Sequence, residues 1–427
     1  MAVILFLIVA KVHSQINYFP PIFGNEWDTI SPASLGWCSE KIDILYDFLD
    51  SSDTKGFLIL KDGKIVLEKY FGSFTLDSAW YWASAGKTVT SFMAGVAQED
   101  GFLNINNKSS DYLGNGWTNE PQEKEDLIKV RNHLTLTTGI DFDVSDMDCI
   151  LPECLNYLQD AGEGWYYHNA TYLLVQDIIA NSAGSSYQNY YTSKLGLPTG
   201  MFGLWIDGVF YSKPRAMARF GSLILNKGIW NGNVILGDTA YFNQMIQTSQ
   251  DLNLAYGYLF WLNGKSTYHL PGFTFEFGGE LIPDAPSDMV MGLGKNDQKL
   301  YIIPSQNMVV VRMGNIASPF TFALSEFDDK LWQKINELDC SSSIINNVHE
   351  DKGIDIYPNP AENELFVNVT KSQYIFKIYN VTGNLIDLKF SESTNSFILT
   401  DLKSGVYAIV CIDKKSNTSM VRKFVKL

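Results

Sequence analysis

Trp80-Tyr81-Trp82-Ala83-Ser84-Ala85-Gly86-Lys87 runs from an aromatic strand into a helix, along which Thr88, Val89, Phe92, Met93, Val96 and Ala97 recur at the spacing of one buried face. A helix starting here puts Ser84 and Lys87 one turn apart, with both side chains facing the same way. A serine hydroxyl is a weak nucleophile until a base takes its proton, and a lysine at i+3 is a built-in candidate for that base. The stretch therefore points to acyl transfer. Ser52-Asp53-Thr54-Lys55 repeats the spacing, but reads as a solvated polar turn ahead of a strand that holds neither side chain.

Upstream, a helix over Glu40 to Leu49 leads into two β-rich runs, Gly56 to Leu60 and Lys64 to Tyr70, joined at Asp62-Gly63 as a hairpin. Downstream come helical segments near Tyr172 to Ala180, Pro214 to Asn226 and Asp238 to Thr248. Strands then dominate from Tyr256 to Met313, and a closing helix spans Phe320 to Leu338. This order predicts an α/β (α+β) sandwich: an antiparallel sheet assembled from both ends of the domain, flanked by helices, with a helical subdomain inserted. Beyond a polar linker over 341–353, short strands separated by turns such as Thr382-Gly383-Asn384 read as a small all-β sandwich over 354–427. The large domain accordingly spans 15–340.

Ala2 to Ala10 is an apolar run of signal-peptide length, and Val12-His13-Ser14-Gln15 offers a cut after Ser14. A leader over 1–14 is therefore expected, and no other run reaches membrane length. The net charge of −15 argues against nucleic acid and anionic membranes as partners. Five cysteines suit export. Cys149 and Cys154 bracket a short loop and can close a small disulfide; metal binding competes, but no second Cys or His pair stands nearby to complete four ligands. Cys38 and Cys340 flank the first and last helices of the large domain and form a second bridge if those helices pack together. Cys411 is left over. No metal and no cofactor is expected.

An SxxK serine needs a second proton handler and donors for an oxyanion. Tyr167-His168-Asn169 sits in a Gly-rich loop before an apolar helix, where polar side chains can converge on a cleft. Ser84-Ala85-Gly86-Lys87, Tyr167-His168-Asn169 and, between them, His133-Leu134-Thr135-Leu136-Thr137-Thr138-Gly139 together resemble the serine hydrolase family of class C β-lactamases, D-alanyl-D-alanine peptidases and related esterases. The resemblance extends to Arg215 to Gly221, Tyr256-Gly257-Tyr258 and the strand pair Leu300 to Pro304 and Met308 to Gly314, and covers Glu40 to Leu338. It implies attack by Ser84, with Lys87 and Tyr167 sharing the proton; either can be the base. It also implies Asn169 as a hydrogen-bond partner of Lys87, and backbone N–H groups of Ser84 and of a residue on the facing edge strand as oxyanion donors. The family's Lys-Thr-Gly or His-x-Gly motif has its best match at Lys295-Asn296-Asp297, with Gln298 as the second oxyanion donor. His269-Leu270-Pro271-Gly272 is the rival, but its glycine is one residue too far and Pro271 lacks a ladder donor. Asp297 in place of glycine then crowds the cleft and turns it from β-lactams and acidic substrates toward neutral esters or amides. Trp82, Trp165 and Tyr258 are candidates for the pocket wall. The alternative is a penicillin-recognising surface protein that has lost turnover.

Ile354-Asp355-Ile356-Tyr357-Pro358-Asn359-Pro360-Ala361, Tyr379 to Gly383, Leu402 to Tyr407 and the terminal Lys423-Phe424-Val425-Lys426 are similar to the C-terminal sorting domain of the Bacteroidetes type IX secretion system. That resemblance implies the type IX machinery as partner, passage across the outer membrane, removal of the domain, and release or attachment at the surface. The remaining partner is a small-molecule or peptide substrate.

Overall fold

The protein is described by a computed structural model covering residues 18–317, 324–340, 354–369, 373–380, 385–415 and 419–427. The expected leader, the 341–353 linker and the Thr382-Gly383-Asn384 turn lie outside those residues.

Strands β1 (Thr54–Lys61), β2 (Lys64–Tyr70), β3 (Trp261–Leu262), β4 (Val290–Gly294), β5 (Gln298–Ile303) and β6 (Met308–Gly314) form one antiparallel sheet in the order β2-β1-β6-β5-β4-β3. The N-terminal hairpin thus pairs with the last strand of the domain, as the order of elements implies. β5 and β6 are buried at every position, the pattern of strands covered on both faces.

Two pairs of helices cover the sheet. On one face lie α1 (Ser39–Ser51) and the closing helix, here α5 (Glu326–Asn336). On the other are α2 (Lys87–Glu99) and α4 (Pro214–Leu225); α3 (Asn169–Ala183) packs beyond α2. The period-2 alternation of β5 identifies the faces: Lys299 Nζ and Tyr301 Oη bond the Asp328 carboxylate of α5 at 2.7 and 2.6 Å. Leu300, between them, points the other way, toward α4: a Cβ on Gly221 would lie 2.5 Å from Val309 Cγ1 and 3.2 Å from Leu300 Cδ1. α5 starts later than the apolar pattern suggests, because Ser325 caps it. Its hydroxyl accepts from Phe327 N (3.3 Å) while Asp328 accepts from Ser325 N (2.9 Å), a reciprocal cap that fixes the first turn.

Both expected disulfides are formed, Cys38 with Cys340 and Cys149 with Cys154, and Cys411 is free and buried. Ser52 departs from the solvated-turn reading: it is buried at the end of α1, where its hydroxyl donates to Phe48 O at 2.7 Å. The C-terminal segment forms two four-stranded antiparallel sheets around Leu365, Ile378, Phe397, Ile409 and Phe424. No described helix is long and apolar enough to cross a membrane.

Candidate active site

The turn before α2 is anchored from behind. Trp82 is fully buried; its backbone N–H donates to Phe210 O and its indole N–H to Ser212 Oγ, both at 2.8 Å. Ala83 is held at φ +47°, a conformation non-glycine residues rarely adopt, and this turns the chain so that Ser84 opens the next turn half-exposed. Lys87 is buried, and its Nζ donates to Ser84 Oγ and Asn169 Oδ1, both at 2.9 Å. The ring of Tyr172 lies 4.2 Å from that nitrogen and the ring of Tyr167 5.1 Å.

Burial sets the protonation of this cluster. Desolvation pulls Lys87 down to about 7, against the opposing charge of Asp148. Desolvation pushes Tyr167 up to about 12, with hydrogen bonding to Ser84 working the other way. Near neutral pH the lysine therefore gives up its proton far more readily than the phenol.

α3 carries Asn169 at its first residue, and His133 fixes where α3 begins. The His133 ring is fully buried, with Nδ1 2.8 Å from Thr171 O and Nε2 2.9 Å from Ser109 Oγ. A carbonyl only accepts, so Nδ1 carries the proton and Nε2 accepts from the serine. Burial pulls His133 to about 4, so this strut stays neutral. Behind Tyr167 stands an aromatic wall: the Trp261 ring is stacked on it at 6.1 Å, Trp165 lies at 6.2 Å and Tyr256 edge-on at 6.5 Å.

Several expected residues lie elsewhere. Lys295-Asn296-Asp297 is the hairpin turn between β4 and β5, with Asn296 and Asp297 at positive φ, and not a stretch of edge strand. Asp297 does not line the cleft. It is fully buried on the α5 side, bonded to Ser325 Oγ (2.7 Å) and Ala317 N (2.9 Å) and ion-paired with Lys299 at 3.2 Å. Gln298, expected to supply a backbone oxyanion donor, is paired with Gly294 at the hairpin end as the first residue of β5, and its side-chain amide donates to Asn296 O (2.8 Å) and Gly314 O (2.7 Å). Lys295 is exposed at the start of the turn. Trp82 is the buried anchor just described and not part of a pocket wall. Tyr258 is fully buried, bonded to Gln244 (2.5 Å) and Arg131 (3.1 Å), whereas Tyr256, two residues earlier, stands with Trp165 and Trp261. Residues 257–259 are a bend and not a strand, with Leu259 at φ +57°, so the two tyrosines do not share a strand face.

The residue that meets the serine turn is Gly294. A Cβ there would lie 2.3 Å from Trp82 O and 3.1 Å from Ala85 N, so only glycine lets the end of β4 approach the turn. Two residues back, where the family motif has Lys or His, stands Gly292, which is itself within 3.2 Å of Ala85 O when given a Cβ. The signal was present in the sequence as Gly292-Leu293-Gly294. Among the described residues no group of three His, Cys, Asp or Glu side chains is placed to hold a metal ion.

The Ser84 hydroxyl, a buried Lys87 whose pKa falls to about 7, the Tyr167 phenol and the Asn169 amide converge in an α+β sandwich, the residue set of an SxxK serine hydrolase. The chain belongs to the Beta-lactamase family, whose profile matches residues 53–329, and residues 355–427 match the secretion system C-terminal sorting domain. No curated protein matches. Similar solved structures include a putative 6-aminohexanoate-dimer hydrolase from Bacillus anthracis, at 19% identity over 75% of this chain and 87% of that one, TM-score 0.55. A putative beta-lactamase from Bacteroides dorei is 15% identical over 71% and 99%, TM-score 0.55. A family VIII carboxylesterase is 13% identical over 73% and 99%, also TM-score 0.55. At these identities the likeness is one of fold.

Proposed function

We propose that the chain is an exported serine hydrolase that cleaves an ester or amide through an acyl-enzyme on Ser84. Ser84 Oγ attacks the carbonyl carbon as its proton passes to the neutral amine of Lys87. The tetrahedral oxyanion is held by the backbone N–H groups of Ser84 and of Lys295, the residue that follows Gly294. On collapse the C–O or C–N bond breaks, and the proton reaches the leaving group from Lys87 through the Tyr167 hydroxyl. Water then attacks the acyl ester by the reverse relay, releasing the acid and restoring Ser84. Asn169 fixes Lys87 and offers its amide to the acyl side.

The observation that carries this reading is the pair of 2.9 Å bonds from a buried Lys87, whose pKa falls to about 7, to Ser84 and Asn169. The β-lactamase reading is weaker because β4 presents Gly292 and Gly294, and no cation, to the serine turn. The binding-protein alternative rested on Asp297 and loses that support, since the carboxylate is engaged on the other face of the sheet. The names of two neighbours, a putative 6-aminohexanoate-dimer hydrolase and a family VIII carboxylesterase, accord with this choice. The test is fluorophosphonate labelling and turnover of a p-nitrophenyl ester panel, a chromogenic cephalosporin and D-alanyl peptides. Wild type should label and cleave esters, and Ser84→Ala should do neither; equal activity in both would remove the assignment.

The sorting domain supports export by the type IX machinery, to the medium or the outer surface, with the domain removed on the way. Mass analysis of the protein secreted by its native host should find residues 354–427 missing, and an intact secreted chain counts against removal.

A further inference from the structure

The last strand of the chain, Ser419–Lys426, lies in a sheet whose outer face is partly covered by the hydrolase domain. Tyr379 stands opposite Ala408, and Ala408 opposite Lys423, so these three side chains form one row across three neighbouring strands. Ile378, Ile409 and Phe424 point to the other face, into the core of the C-terminal segment. Alternation alone would leave the row in water. Instead, Ala408 is fully buried and joins the hydrophobic cluster of the hydrolase domain. Phe275 stacks on Tyr379 at 4.6 Å, and the Lys423 amine lies over the Phe273 ring at 5.3 Å with its Nζ out of solvent.

The covering element is a hairpin with strands of two residues, Thr267–Tyr268 and Phe277–Gly278, and an aromatic tip. Strands this short do not hold a ribbon by themselves. Ring contacts do so here: Phe277 lies 5.6 Å from Phe273, 4.5 Å from Phe275 and 5.4 Å from Tyr268. Phe273 and Phe277 are buried, and the half-buried Phe275 is the ring left to meet Tyr379. Beside this contact is a cavity of about 140 Å³ that both domains line, with Tyr268, Glu280, Glu326 and Asp329 on the hydrolase side and Arg422 and Lys423 on the other. Three acids stand against two bases across it, so charge complements the ring contact. Tyr379 and Lys423 each open one of the stretches that carry the resemblance to the sorting domain.

We propose that the aromatic hairpin and the acidic rim beside it are a docking cradle for the row Tyr379, Ala408 and Lys423, and that docking masks this row from the type IX machinery until the two domains part. This rests on the reading of 354–427 as a sorting domain. The row is covered in the folded chain, so the machinery grips it only after the hairpin has let go.

The experiment pulses the purified full chain with formaldehyde and cyanoborohydride and reads each lysine by peptide mass, in wild type, Phe275→Ala and Glu280→Lys. Both substitutions lie on the hydrolase side and outside the catalytic set, and circular dichroism reports that each variant is folded. In wild type, Lys423 should be methylated at least about tenfold more slowly than the exposed Lys403. Removing the stacked ring, or setting a cation opposite Arg422 and Lys423, should bring Lys423 to within about threefold of Lys403. In the native host, both variants should then appear outside the cell, trimmed, sooner after a pulse of synthesis than wild type. Lys423 as reactive as Lys403 in wild type, or as protected in the folded variants as in wild type, overturns the cradle. Export that is no faster once Lys423 is uncovered overturns the masking. A wild-type chain that the host neither exports nor trims fails the parent reading instead.

Discussion

Ser52-Asp53-Thr54-Lys55 and Ser84-Ala85-Gly86-Lys87 share a spacing and little else. In the first, the chain leaves α1 and enters β1, so Ser52 bonds back to Phe48 O at 2.7 Å while Lys55 lies over the Trp80 ring at 4.6 Å. In the second, both residues belong to continuous helical turns, and Lys87 Nζ reaches Ser84 Oγ at 2.9 Å. Three residues make a catalytic pair only when the backbone is helical and the amine is stripped of water. The hydroxyl of Ser52 has a carbonyl to donate to and no base to take its proton.

The comparison breaks most sharply on the two serines. Ser84→Ala should lower kcat/KM by at least about 10³-fold, whereas Ser52→Ala should leave it unchanged, as read by ester turnover. Lys87→Ala should cost about 10²- to 10⁴-fold, with no gain from the remaining Lys55. A test of which face of the sheet matters follows from Asp297. Desolvation works to raise its pKa, but Lys299, Ser325, the Ala317 N–H and Arg312 together hold it below the usual carboxylate range. Asp297→Ala should therefore destabilise the fold, by about 1–3 kcal/mol in denaturant melts, because it leaves Ser325 Oγ and Ala317 N without their acceptor and takes one of the two carboxylates from Lys299, which keeps Asp328; it should not confer β-lactam turnover. Its contribution is present above the unfolded carboxylate pKa and is lost as pH falls through the lowered folded value. The smallest effect belongs to Ser52→Ala, which should cost about 1 kcal/mol of stability for one lost side-chain hydrogen bond.

What was legible in the chain follows the same division. The proposed catalytic set of Ser84, Lys87, Tyr167 and Asn169 consists of side chains whose types and order can be read directly, and the two disulfides follow from the short loop between Cys149 and Cys154 and from the ends of the first and last helices of the large domain. The strand that faces the serine acts through an absent side chain. Gly294 is required because a Cβ there would lie 2.3 Å from Trp82 O, a closeness no residue pattern reports, whereas the basic Lys295 that matches a Lys-Thr-Gly pattern lies one residue later. Asp297 faces α5 because of a three-residue turn with two positive-φ residues, and Tyr256 replaces Tyr258 because 257–259 bend instead of continuing a strand. Both depend on backbone sign, which apolar periodicity does not encode. His168 has no assigned part in the Tyr-x-Asn pattern, and its lack of partners is visible only once its neighbours are placed.

The claim on which the rest depends is that burial makes Lys87 a base. The most direct measurement is the rate of fluorophosphonate labelling at Ser84, located by peptide mass, from pH 5 to pH 10 in wild type and Asp148→Asn. Lys87 titrates at about 7, so the wild-type rate should rise through that pH and level off above it. Asp148 favours the protonated amine, so its removal should move the limb to lower pH. A rate that keeps climbing toward pH 10 with no inflection near 7, unmoved by Asp148→Asn, would contradict the account and make Tyr167 the base.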